Sequence, residues 1–260
     1  MNSFVPIRAI RGPFHLQQSF CKLRIISIST NMTNNPQTFF EYLTQYVTPH
    51  KRQLIEQVLA QRTRYFTVVL EDIYKPHNAS AVLRTADCFG IQDIHIIEKE
   101  NSYEVNPYVV RGAAQWVDIH KYSNEGGMAV SNCFEQLRSE GYQIIATSPD
   151  AGSVSIHELN VSQKIALVFG NEHAGVSDEV KAKADKLVHI PMMGFTESFN
   201  ISVAASIFLF DLIRKVQSQS TIQNFHLTEE EKQLLREKWY RGIVKNSDIH
   251  EKVFLNSKEK

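Results

Sequence analysis

Between residues 66 and 215 the chain alternates short apolar, β-rich runs with helical ones, and no other feature constrains its fold as strongly. Runs at 66–70, 94–97, 143–147, 165–169 and 187–190 read as strands. Helical patterns separate them: one after Asn78, one around 133–139, one around 178–184 and one over 201–215. Strands separated by helices pair in parallel, because each crossover helix returns the chain to the same end of the sheet and covers a face of it. The expected class is therefore α/β, a parallel sheet covered by helices.

Short helical extensions flank this core. Phe39, Phe40, Leu43 and Val47 recur on one helical face, and Thr48-Pro49 reads as the cap and first turn of a second helix bearing Leu54, Ile55, Val58 and Leu59. At the other end, Thr228 followed by three glutamates reads as a helix start, with Leu234, Leu235, Trp239 and Ile243 as its apolar stripe. The expected division is a leader over 1–38, a helical extension over 39–65, the α/β domain over 66–216 and a helical tail over 217–260.

A length of 260 residues allows a sizeable core. No apolar run reaches the roughly 18 residues that a membrane span needs, so no membrane insertion is expected. Cys21, Cys88 and Cys133 are scattered and outside any CxxC pair, which indicates neither a disulfide framework nor a zinc site. The net charge is zero, yet there is no acidic residue before Glu41. Arg8, Arg11, Lys22 and Arg24 among serines and aliphatics have the composition of an organellar transit peptide. The preferred reading is that Met32 is the true start and the protein cytoplasmic; a mitochondrial address is the alternative.

Ligands of parallel sheets bind at the carboxyl ends of the strands. Three segments there carry unusual residues. In the first, Lys75-Pro76-His77-Asn78, Asn78 stands where a helix N-cap belongs, Gly90 where the helix stops, and Arg84 puts a permanent charge on an otherwise small, apolar helix. The bland reading pairs Arg84 with Glu71 or Asp87. In the second, Phe169-Gly170-Asn171-Glu172 with Gly175, two glycines let backbone approach a ligand closely, but the spacing is not GxGxxG and no GK[ST] follows. The third runs from Ile190-Pro191-Met192 to Ser198-Phe199-Asn200. Ser198 or Asn200 caps the next helix, which is apolar on nearly every side and must be buried all round, against this chain or a partner subunit.

Together and in this order, the three segments resemble the motifs of the SpoU or TrmH family of RNA ribose 2'-O-methyltransferases, in the SPOUT superfamily. The resemblance covers roughly residues 67–215, and the Lys-Pro-His-Asn opening with short extensions is most similar to the branch that methylates guanosine 18 in the tRNA D-loop. It implies a SPOUT fold whose C-terminal part is tucked into a deep trefoil knot, a homodimer with two subunits completing each active site, S-adenosylmethionine as cofactor, and no metal. By position, Thr147, Gly170, Asn171, Ile190, Met192 and Phe199 would line the cofactor pocket. Arg84 matches the arginine that the family uses to activate the ribose hydroxyl. Asn78, Glu172, Ser198 and Asn200 match its remaining polar positions.

For an RNA partner, the basic and aromatic candidates outside the motifs are Lys51, Arg52, Arg62, Arg64, Arg111, Arg236, Lys238, Trp239, Tyr240 and Arg241. The alternatives are a related methyltransferase of ribosomal RNA or another tRNA site, a non-catalytic RNA-binding protein on the same scaffold, and a Rossmann oxidoreductase, which the missing GxGxxG disfavours.

Overall fold

The computed structural model describes residues 38–101, 112–219 and 222–258. The expected leader up to residue 37, and Arg111, lie outside them. Seven strands form the sheet: β1 (Phe66–Glu71), β2 (Asp93–Ile97), β3 (Asp118–Tyr122), β4 (Tyr142–Thr147), β5 (Val154–Ser155), β6 (Lys164–Phe169) and β7 (Lys186–His189). Their order is β3-β2-β1-β6-β4-β7-β5, and every pairing is parallel, as the alternation predicts.

Helices α3 (Pro76–Cys88) and α6 (Ile201–Gln217) pack side by side on one face of the sheet; α4 (Ala129–Ser139) and α5 (Asp178–Lys183) cover the other. Because side chains alternate along a strand, Val68 and Leu70 enter the core beneath α3 and α6, with Leu83, Phe169 and Phe208. Val69 points the opposite way, to Phe134, Leu137 and Val180. Burial on both faces is why β1 and β6 read as nearly unbroken apolar runs.

Three elements were not legible as such. β3, Asp-Ile-His-Lys-Tyr, lies at one sheet edge, where none of its residues is fully buried, and its His120 stacks on His95 of β2. β5 is only two residues long. A further helix, α8 (Ser247–Lys258), has a single buried residue, Phe254, and so lacks a strong apolar period.

The two extensions share one core. α1 (Phe39–Thr44), α2 (Pro49–Leu59) and the turn between them pack Leu43, Val47, Ile55 and Leu59 against Leu235, Trp239 and Tyr240 of α7 (Glu229–Ile243). Thr48 caps α2 with Pro49 at its first position, and Thr228 forms a capping box with Glu231, both as the sequence indicates. The stripe on α7 is shifted, however: Leu234 is exposed, and Tyr240 takes the buried place.

This packing corrects the RNA-contact assignments of Arg62, Trp239 and Tyr240, all buried. Arg62 pairs with Asp87, donates to the Ile91 carbonyl oxygen at 3.2 Å and lies 5.3 Å from the Trp239 ring centroid, so it cannot reach a phosphate. Arg64, Arg236 and Arg241 bind carboxylates. Arg64 binds Asp93 at 2.7 Å, Asp118 at 2.9 Å and Glu231 at 3.2 Å. Arg236 grips Glu56 through two contacts of 2.6 and 2.7 Å, and Arg241 grips Glu251 at 2.8 and 2.9 Å. Lys238 pairs with Asp118, and Lys51 lies 4.7 Å from the Trp116 ring centroid. These contacts tie helices to the sheet and to each other. Breaking a buried pair leaves a charge uncompensated, so Arg62→Ala is expected to lower the unfolding free energy in urea by about 3 kcal/mol. Unchanged stability with weakened RNA binding would restore the rejected role.

Candidate active site

Strands β6, β4 and β7 are neighbours in that order, and β1 flanks β6, so the loops after these four strands open at one end of the sheet. Three of these loops bear the sequence motifs.

Pro76 occupies the first turn of α3, where its fixed φ and missing N–H cost nothing. The helix therefore starts earlier than expected: Lys75 is the N-cap, without a side-chain cap bond, and Asn78 is not a cap but the third helical residue, with its side chain turned inward. Asn200 is the N-cap of α6; its Oδ1 accepts from Ser202 N–H at 2.9 Å and from the Ser202 hydroxyl at 2.7 Å. Its Nδ2 donates to Asn78 Oδ1 at 3.3 Å, and Asn78 Nδ2 donates to Glu172 Oε1 at 2.6 Å. Tyr74 N–H reaches the other oxygen, Oε2, at 3.2 Å.

One directed relay therefore joins the three motifs and ends on a carboxylate, which can only accept while ionised. Each amide has a single orientation that satisfies both its neighbours. Burial pushes the Glu172 carboxyl up, but hydrogen bonds from Asn78 and from the backbone N–H groups of Glu172, Tyr74 and Lys75 more than offset this and hold it below the usual range.

The second motif loop folds back on itself, Gly175 N–H donating to the Asn171 carbonyl oxygen at 2.8 Å. A Cβ on Gly170 would lie 2.1 Å from the Gly175 carbonyl carbon, so only glycine fits. The Asn171 side chain serves the loop: Nδ2 donates to the Asp72 carbonyl oxygen at 2.9 Å, and Oδ1 accepts from His173 N–H at 2.9 Å. Thr147 Oγ1 donates to the Val168 carbonyl oxygen at 3.0 Å, tying the end of β4 to β6. Ile190 packs partly into the core.

Met192, Ser198 and Phe199 line a cleft of about 310 Å³ together with Pro191, Met193, Gly194 and Thr196. No backbone hydrogen bond joins residues 191–199 to another described residue, which leaves their N–H and C=O groups available to a ligand. Apolar walls with unengaged main-chain groups suit an adenosine: the ring needs flat apolar contact and its edge needs backbone partners. These residues therefore fit S-adenosylmethionine. Among the described residues, no cluster of histidine, cysteine or carboxylates could hold a metal ion.

Arg84 is exposed, and both carboxylates of the bland reading are taken. Glu71 binds Lys99 at 2.7 Å and accepts from Ser177 N–H at 2.9 Å, while Asp87 binds Arg62. The guanidinium is thus free for a ligand.

The sequence reading passed over Asp72. It follows β1 with a positive φ of 50°, and its Oδ1 accepts from the N–H groups of Lys99, Glu100 and Asn101 at 3.1, 2.9 and 2.8 Å. A charged pair, Glu71-Asp72, closing an otherwise apolar strand was the available signal.

The Gly170 close approach generates a direct test. Over-packing costs about 1–3 kcal/mol even where side chains can shift, and here the obstacle is backbone. Gly170→Ala is expected to lower the unfolding midpoint and to abolish S-adenosylmethionine binding in calorimetry; wild-type affinity would contradict the assigned role of this loop.

Residues 65–210 match the family described as SpoU rRNA Methylase. A tRNA (guanosine(18)-2'-O)-methyltransferase of Borreliella burgdorferi is 42% identical over 215 residues, covering 83% of this chain and 95% of that protein. The crystal structure of the Aquifex aeolicus TrmH/SpoU tRNA modifying enzyme superposes with a TM-score of 0.66 at 30% identity, covering 78% of this chain and all of that one. The AdoMet-bound rRNA methyltransferase of Sinorhizobium meliloti is similar at a TM-score of 0.52 and 27% identity, over 60% of this chain and 58% of that one. With its three motif loops joined at one end of a parallel sheet, and with a match over more than half its length, the chain belongs to the SpoU rRNA Methylase family.

Proposed function

We propose that the protein transfers the methyl group of S-adenosylmethionine to the ribose 2'-hydroxyl of guanosine 18 in tRNA. The observation that carries this reading is Arg84, an exposed arginine without a carboxylate partner, on the helix whose first turn joins the other two motif loops through Asn78. The activity named for the Borreliella burgdorferi relative, 42% identical over nearly its whole length, supports the choice of guanosine 18 over a ribosomal site.

Bound S-adenosylmethionine supplies an electrophilic methyl carbon. The chain's own work is to align donor with acceptor and to deal with the hydroxyl proton. The 191–199 loop offers its main-chain groups and the Met192 and Phe199 walls to the cofactor. The Asn200–Asn78–Glu172 relay holds that loop at a set distance from α3. A guanidinium normally stays protonated, so Arg84 acts most simply by gripping the phosphate beside the reactive ribose, whose oxygens can then take up the proton.

The site belongs to a homodimer in this proposal. α6 is not buried all round within one chain, as its composition led us to expect. Val203 is 45% exposed and Phe210 60%, with Ile207 between them on the same face. α3 packs beside α6, and in this reading a second copy of the chain covers that stripe. The deep trefoil knot implied by family likeness belongs to the same proposal, as does the division into extension, catalytic domain and tail.

The test is methyl transfer from labelled S-adenosylmethionine to unmodified tRNA and ribosomal RNA, with the labelled nucleotide mapped. Label on the ribose of guanosine 18 is expected, and Arg84→Ala should lower kcat/KM at least about a hundredfold, the scale of losing a group that positions or deprotonates the acceptor. Label on ribosomal RNA alone would overturn the substrate.

A further inference from the structure

Two aromatic rings stand at the rim of the site with no part in the relay. Tyr74, on the loop after β1, is 58% exposed, and His173, on the second motif loop, is exposed as well. Their ring centroids are 5.9 Å apart at an interplanar angle of 63°, edge towards face. Both are held by the backbone rather than by packing. Tyr74 N–H is fixed by Glu172 Oε2 at 3.2 Å, and His173 N–H by Asn171 Oδ1 at 2.9 Å. The residues that order the motif loops thereby also set where these rings stand.

An exposed tyrosine normally spreads its ring on neighbouring apolar surface. This one is propped against a second ring on an anchored loop, and the exposed Lys75 and His77 follow it in the chain. A flat π-face with a cationic side chain next in the chain, here Lys75, is the combination that binds an unstacked nucleobase with its backbone: the ring takes the base and the cation takes the phosphate.

We propose that Tyr74, braced by His173, is a positioning residue on which a nucleobase of the RNA acceptor stacks while the ribose enters the site. This deepens the methyltransferase reading and rests on it for the identity of the RNA. Stacking needs the ring and not the hydroxyl, so phenylalanine should serve in place of tyrosine.

The experiment measures three quantities for wild type, Tyr74→Phe and Tyr74→Ala: the affinity for an unmodified tRNA transcript by fluorescence anisotropy, the affinity for S-adenosylmethionine by calorimetry, and kcat and KM for methyl transfer. Tyr74→Ala is expected to raise the tRNA Kd and KM on the order of tenfold, the scale of one lost base–aromatic stack. Its kcat and cofactor affinity should stay within about twofold of wild type, as for a group that binds acceptor alone. Tyr74→Phe should restore the tRNA affinity.

Wild-type tRNA affinity in Tyr74→Ala would overturn the proposal. So would a Tyr74→Phe variant as weak as alanine, or a parallel loss of cofactor affinity, which would make Tyr74 a support for Glu172. If the wild type binds the transcript but transfers no methyl group, the proposed activity fails alone, since the tRNA affinities still decide the stacking.

Discussion

The site depends on one short run of hydrogen bonds, from Ser202 through Asn200 and Asn78 to Glu172. Its members come from all three motif segments, Asn78 lying 94 residues from Glu172 and 122 from Asn200, and it joins the start of α3 to the start of α6. Bonds to an ionised carboxylate contribute about 1.5–3 kcal/mol each, and a chain of amides polarised towards one end strengthens its members. Loops rich in glycine, proline and exposed apolar residues would otherwise sample many arrangements. The relay selects one, and in it the 191–199 segment keeps its main-chain groups free for a ligand.

The sheet makes this convergence possible. Because β6, β4 and β7 are adjacent and parallel, their carboxyl ends open together, and α3 starts from the next strand along. Cross-links between the loops reinforce the arrangement. Asp72 collects three N–H groups from the chain after β2, and Glu71 binds both Lys99 and Ser177. Away from the site, N-terminal and C-terminal helices close over each other through Trp239 and the Arg236–Glu56 pair. Several basic residues outside the motifs, Arg62, Arg64, Arg236 and Arg241 among them, are engaged in such pairs, whereas Arg84 has no carboxylate partner among the described residues.

Much of this was legible in the sequence. The apolar runs of β1, β2, β4, β6 and β7 and the helices between them announce a parallel sheet, because burial on both faces leaves an uninterrupted apolar signal. The helix caps at Thr48 and Thr228 are equally plain. Where reading failed, tertiary partners had overruled local pattern. Asn78 has the chemistry of a cap, but Pro76 starts the helix earlier and frees its amide to reach Glu172. Arg62 looks like a surface cation beside Arg64, yet it is enclosed between Asp87, the Ile91 carbonyl and Trp239, partners 25 to 177 residues away. Edge strand β3 escaped notice because a half-buried strand with Asp, His and Lys among its five residues has no continuous apolar run.

The central claim is that Asn78 and Glu172 act as one unit across two motif loops. A double-mutant cycle on methyl transfer measures this directly, with Asn78→Ala, Glu172→Ala and the pair compared by kcat/KM. The account predicts strong coupling: each single substitution should cost nearly as much as both together. Losses that simply add would contradict it and would leave the two residues as independent supports.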